Sequence, residues 1–111
     1  MTSVKMTPPG VSRAFEVFGS QAPAHARAWM DLARALDDAC ALDAKTEDLA
    51  YLAVLAALRM DSGLPFHVRL AREHGASREE IISAILLGLP AAGHGVIACL
   101  PAALDAYDSP A

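Results

Sequence analysis

Four histidines, two cysteines and a set of arginines hold most of the chemistry available to this chain. No two of His25, His67, His74 and His94 stand four residues apart, the spacing that sets two imidazoles on one helix face as zinc ligands, so no metal site is expected. Cys40 and Cys99 lie far apart without Cys-x-x-Cys spacing and read as small buried hydrophobes of a reducing compartment. There is no glycine-rich phosphate loop after a strand and no Gly-x-Ser-x-Gly elbow. What remains is acid–base and ion-pair chemistry. Imidazoles titrate near neutral pH, and Arg59, Arg69 and Arg72 carry guanidinium groups suited to gripping a carboxylate. Arg69 follows His67 by two residues, about 200° around a helix, so the two do not enter one small pocket within a protomer. Arg69 therefore reads foremost as a structural residue or one facing a neighbouring subunit. His94, between Gly93 and Gly95, marks either a turn or a place where backbone approaches a ligand closely, and the turn is favoured. His25 and His74 fall near helix ends and read as surface residues.

Helices must position these groups. Alanine is abundant and β-branched residues are scarce, a mostly helical composition. Residues 1–10 read as a loose arm and residues 108–111 as a frayed end. A short helix is expected from Ser12 to Phe18, stopped by Gly19. A second runs from about Pro23 to Cys40, with Trp29, Ala33, Leu36 and Cys40 on one stripe. Arg27/Asp31 and Arg34/Asp38 are spaced as i,i+4 ion pairs on its wet face. Asp43 caps a third helix to about Arg59, which is apolar on every side from Leu49 to Leu58 and therefore central. Ser62 is placed to cap a fourth helix, ended by Gly75. Ser77-Arg78-Glu79-Glu80 is a capping box opening a fifth. Residues 81–104 carry no formal charge and have the length of a membrane span, but Gly88, Pro90, the Gly93–Gly95 turn and Pro101 divide them into two short buried or interface helices. The expectation is a single all-α domain over residues 1–111, with about six helices.

The 111 residues are 54% hydrophobic, more apolar than one small domain buries, so a homo-oligomer is expected. A net charge of −4 argues against a nucleic-acid or anionic-membrane partner. No signal-peptide pattern begins the sequence, and a cytoplasmic location is expected.

Several segments together resemble the carboxymuconolactone decarboxylase and alkylhydroperoxidase (AhpD)-like superfamily. They are Lys45-Thr46 before an apolar helix, Leu52-Ala53, Ala56-Ala57-Leu58, His67-Val68-Arg69-Leu70-Ala71 and the run from Gly75 to Ile81, with a weaker match through Gly93. The likeness covers roughly the C-terminal two-thirds of the chain. It implies an AhpD-like fold around a central antiparallel helix pair and association as dimers, trimers or hexamers. The peroxidase branch carries Cys-x-x-Cys-x-x-x-His, in which a thiolate attacks peroxide and its partner resolves the product as a disulfide. Those cysteine positions are Met60 and Gly63 here, so thiol peroxidase chemistry is not expected. The decarboxylase branch keeps the histidine without the cysteines.

The resemblance thus implies a cofactor-free carboxy-lyase acting on a small carboxylated lactone or related acid. Its alternatives are a relative that has lost thiol peroxidase activity and a non-catalytic oligomeric binding or scaffold protein. His67 stands as proton donor, with Arg59, Arg69 or Arg72 as carboxylate clamps, Tyr51 and His94 as further substrate-binding candidates, and Asp48 at the superfamily's acidic relay position. His67 has an equal reading as a hydrogen-bonded core histidine, and Tyr51 as plain core. If the third and fourth helices turn back at residues 60–63, His67 lies opposite Tyr51 to Leu55. Asp48 is then about one turn, near 5 Å, further along, so water or Tyr51 has to bridge it to His67.

Overall fold

The computed structural model describes residues 10–110, all helical or turn with no strand among them. In chain order the helices are α1 (Arg13–Gln21), α2 (Pro23–Ala39), α3 (Ala44–Ala57), α4 (Leu64–Glu73), α5 (Arg78–Leu86), the single-turn α6 (Leu89–Ala92) and α7 (Leu100–Asp108). Short 3-10 segments at Asp61–Gly63 and Gly93–Cys99 join α3 to α4 and α6 to α7. Apart from α6, six helices have nine residues or more. The expected loose arm lies almost wholly outside the described residues.

Local chemistry sets most boundaries. Asp43 accepts a hydrogen bond from the Thr46 amide at 2.8 Å, capping α3. At α5 the capping box is complete, with Ser77 Oγ accepting from the Glu80 amide and Glu80 Oε1 accepting from the Ser77 amide. The other oxygen of Glu80 receives Lys45 Nζ at 3.0 Å, which ties the start of α3 to the start of α5.

Both α3 and α4 end in Schellman motifs. After α3, the Met60 amide donates to the Leu55 carbonyl and the Arg59 amide to Ala56, with Arg59 in the left-handed region at φ 57°. After α4, the Ala76 amide donates to Ala71 and the Gly75 amide to Arg72, with Gly75 at φ 97°. Glycine fills such a position without cost, whereas Arg59 holds its conformation at about 1 kcal/mol or more.

Helices α3, α4, α5 and α7 pack on one another. Their shared core is Leu52, Leu55, Leu64, Val68, Ile81, Ile85, Val96 and Cys99, closed by Ala56, Ala71, Ala103 and Ala106. Small side chains on α4 and α7 let these two helices lie close. The span-like stretch 78–108 is folded here as α5, α6, the second 3-10 segment and α7 rather than one continuous rod.

Five local expectations need correction. Gly19 does not stop α1, which continues to Gln21, because glycine in a helix costs only about 1 kcal/mol and the break comes at Ala22-Pro23. Arg34 pairs with Asp31 at 3.4 Å rather than with Asp38. Ser62 caps nothing, since a 3-10 turn intervenes and Gly63 is the residue before α4. The Gly93–Gly95 turn is the start of a seven-residue 3-10 segment. The C-terminal end is anchored rather than frayed: Arg78 grips Asp108 through two bonds of 3.0 Å, Arg72 donates to the Tyr107 and Ser109 carbonyls, and Arg69 donates to the Pro110 carbonyl.

The α2 stripe is also not a core face. Neither α1 nor α2 contains a buried residue, and α1 packs chiefly on α2 through the Phe15, Phe18 and Trp29 rings. Trp29 remains 47% exposed and Leu36 62%.

One chemical change should have opposite effects at two glycines. Gly75→Ala is expected to destabilise by about 1–2 kcal/mol, because a Cβ is forced into the left-handed region. Gly19→Ala, in a helix with no atom near its added methyl, is expected to stabilise by about 0.5–1 kcal/mol. Urea unfolding of the two variants beside the parent checks both signs.

Candidate active site

The reversal between α3 and α4 runs them antiparallel and creates a seam of polar side chains along one side. Tyr51 of α3 meets His67 of α4, their ring centroids 4.7 Å apart and the planes inclined at 61°. Phe66 meets the same imidazole edge-on at 5.1 Å. One turn before Tyr51, Asp48 extends along the seam. Its carboxylate does not bond His67. It pairs with His74 Nδ1 at 2.5 Å, and only 12% of the Asp48 side chain is exposed against 40% of His74.

The register places Asp48 within reach of both imidazoles. From the Tyr51–His67 level, Asp48 is about 4.5 Å along α3 and His74 about 10.5 Å along α4. Asp48 therefore originates between the two imidazoles, and its short side chain reaches His74. His67 feels it only through space.

The two histidines are pushed in opposite directions. Partial burial lowers the pKa of His67 below the ordinary 6.5, and the negative charge of Asp48 opposes this. The hydrogen bond from Asp48 raises that of His74, helped by the charges of Asp48, Glu73 and Asp37 and opposed by desolvation. One imidazole of the seam thus gives up its proton more readily than a free histidine and the other holds it more tightly, a division that suits acid–base work. The consequences for folding also have opposite signs. The His74 contribution is present below pH 6.5 and is lost as pH rises through its raised value. The His67 contribution is present above pH 6.5 and is lost as pH falls through its lowered value.

At the outer end of the seam, where α2 meets α3, Glu47 is raised chiefly by a hydrogen bond shared with Asp37, and it also bonds Cys40. No grouping of histidine, cysteine and acidic side chains among the described residues has the arrangement of a metal site.

The remaining candidates lie elsewhere. Arg59 runs across Gly95, where an added Cβ would stand 2.9 Å from Arg59 Cδ. The glycine beside His94 therefore makes room for an arginine, and His94 itself is exposed. Arg69 and Arg72 are spent on the C-terminal carbonyls, away from the His67 ring, which is the structural reading of Arg69. Cys99 is buried and donates to Asp61 Oδ1 at 3.3 Å; desolvation, then that carboxylate, push its thiol upward, the reverse of an activated thiolate. Cys40 sits by Glu47 and Cys99 by Ala56, at opposite ends of α3 and about 14 Å apart along its axis, too far for a disulfide. Of the two positions that carry cysteines in the peroxidase branch, Met60 is half exposed and Gly63 rests on Leu55 with ordinary room for a side chain.

His74 is the residue that sequence reasoning missed. Its signal was present: seven residues after His67 is two helical turns, which returns to the same face.

No curated protein and no solved structure matches this chain. A family model does match: that of the Carboxymuconolactone decarboxylase family, over residues 23–106, from the first residue of α2 into α7. Covering most of the sequence and the whole α3–α4 seam, that match makes this chain a member of the carboxymuconolactone decarboxylase family.

Proposed function

We propose that the chain is a cofactor-free carboxy-lyase acting on a small carboxylated lactone or a related acid. The observation that carries this reading is the partly buried His67 imidazole against Tyr51, in a family member whose two thiols stand far from one another. In the proposed reaction the bond to the carboxyl carbon breaks and CO₂ leaves. Its electron pair passes through the conjugated double bond toward the lactone carbonyl. Carbon then takes a proton from the His67 imidazolium, which is replenished from water. A lowered pKa makes that imidazolium a stronger acid while reducing its population. Tyr51 would orient the substrate at the ring. Of the three candidate arginines, Arg69 and Arg72 bond the C-terminal segment and Arg59 lies across Gly95, so whichever of them holds the carboxylate must leave that contact to do so. A cytoplasmic location accompanies this reading.

We further propose a homo-oligomer, a dimer, trimer or hexamer. Trp29, Leu32 and Leu36 on α2, and Tyr51 and Val54 on α3 with Leu58 just past its end, form two exposed apolar stripes at helical spacing, and water disfavours both. Tyr51 belongs to a stripe and to the site, so assembly over α3 would also shield the His67 ring from solvent. The same stripes favour a second reading, a non-catalytic scaffold built on this fold.

CO₂ release from 4-carboxymuconolactone tests the carboxy-lyase reading. The purified protein is expected to turn the substrate over, with His67→Ala losing about 10²–10⁴-fold in kcat. The kcat/KM of the parent should fall as pH rises through a value below 6.5. Absence of turnover by the intact protein rejects this substrate. Light scattering at micromolar concentration should give a mass above that of a monomer, and Leu36→Asp should reduce it; a monomeric parent overturns the assembly reading.

A further inference from the structure

We propose that His74 is a positioning residue for this site: its imidazole holds the Asp48 carboxylate at the far end of the α3–α4 seam and governs how much negative charge Asp48 presents to His67. The inference rests on the proposed role of His67 for its catalytic meaning, but its physical content does not need a substrate.

Three observations carry it. Asp48 is largely enclosed, so its carboxylate has little water to screen it, and its hydrogen bond goes to His74. His74 sits two helical turns from His67, on the same face of α4. Asp48 springs from α3 between them, near enough to His67 for its charge to oppose the effect of burial there. A carboxylate shared in this way presents its full field to His67 only when the cation on its other side is absent.

The charged and titratable groups facing the arrangement come from three helices. Asp48 and Tyr51 lie on α3, Glu73 adjoins His74 on α4, and Asp37 approaches from α2, where it also bonds Glu47. All the acids favour the protonated form of His74, the base they surround. Replacing it with a neutral side chain therefore leaves Asp48 uncompensated beside His67.

The test is titration of the histidine ring resonances by NMR in the full chain, with His74→Gln, Asp48→Asn, the double variant and His74→Lys. His74 lies at the surface, outside the apolar core, so its substitutions are not expected to unfold the protein, and the dispersion of the same spectra reports folding directly. The His67 midpoint is expected to move upward in His74→Gln and downward in Asp48→Asn. Adding His74→Gln to Asp48→Asn should leave the midpoint where Asp48→Asn alone puts it, because the effect passes through the carboxylate. His74→Lys, which restores a cation, should return it toward the parent value. A His67 midpoint unmoved by His74→Gln, or moved by the same amount with and without the Asp48→Asn substitution, overturns the proposal. If the midpoint shifts as expected while no decarboxylation is found, the charge coupling stands and the proposed reaction fails. If turnover is found, the alkaline limb of its pH profile, where the His67 imidazolium loses its proton, should follow the His67 midpoint from variant to variant.

Discussion

The chain reversal after α3 is the constraint from which the rest of the arrangement follows. Within six residues the chain leaves one helix through paired Schellman hydrogen bonds, passes a 3-10 turn and enters the next. That geometry fixes the register of α3 against α4. It brings Leu52 and Leu55 toward Leu64, Val68 and Ala71 on the core side, and Tyr51 and Asp48 toward His67 and His74 on the other. The core needs this register to fill its volume, so the polar seam inherits a geometry set by apolar packing. Arg59 occupies the left-handed position where glycine would be unstrained, and its side chain lies on Gly95. The contact couples the reversal to the 3-10 segment that delivers Val96 and Cys99 into the core.

Electrostatics then divides labour along the seam. Two residues of the same type, two turns apart on one helix, experience opposite environments. Burial governs His67, and ion pairing governs His74. One carboxylate reaches both, one by a hydrogen bond and the other by its field. The arginines of the same region, Arg69 and Arg72, serve a different purpose by binding the C-terminal carbonyls to α4, which keeps the end of α7 closed on the core.

Much of this was legible in the chain. Caps have side-chain rules local enough to read directly, and Asp43, Ser77 with Glu80, and Gly75 all act as their residue types require. The all-helical class followed from composition, and the family from the spacing of short segments around His67. The opposition of Tyr51 and His67 was also accessible, because an antiparallel pair with a known turn has few registers open to it. Other features were not. Gly19 looked like a stop because propensity ignores context, and Arg34 could have taken either of two acids.

What the sequence by itself determined is therefore local or periodic: helices, caps, a central apolar element, the absence of a thiol pair at Met60 and Gly63, and a histidine with a nearby acid. Tertiary structure decided the partners. It gave Asp48 to His74, Arg69 and Arg72 to the C-terminal segment, Gly95 to Arg59, and left the apolar stripe of α2 largely exposed among the described residues. The reason is physical. Backbone capping and helix periodicity act over three or four residues and are written in neighbouring letters. Side-chain pairing across helices depends on register differences of a few ångströms, which only the packing of the whole core sets.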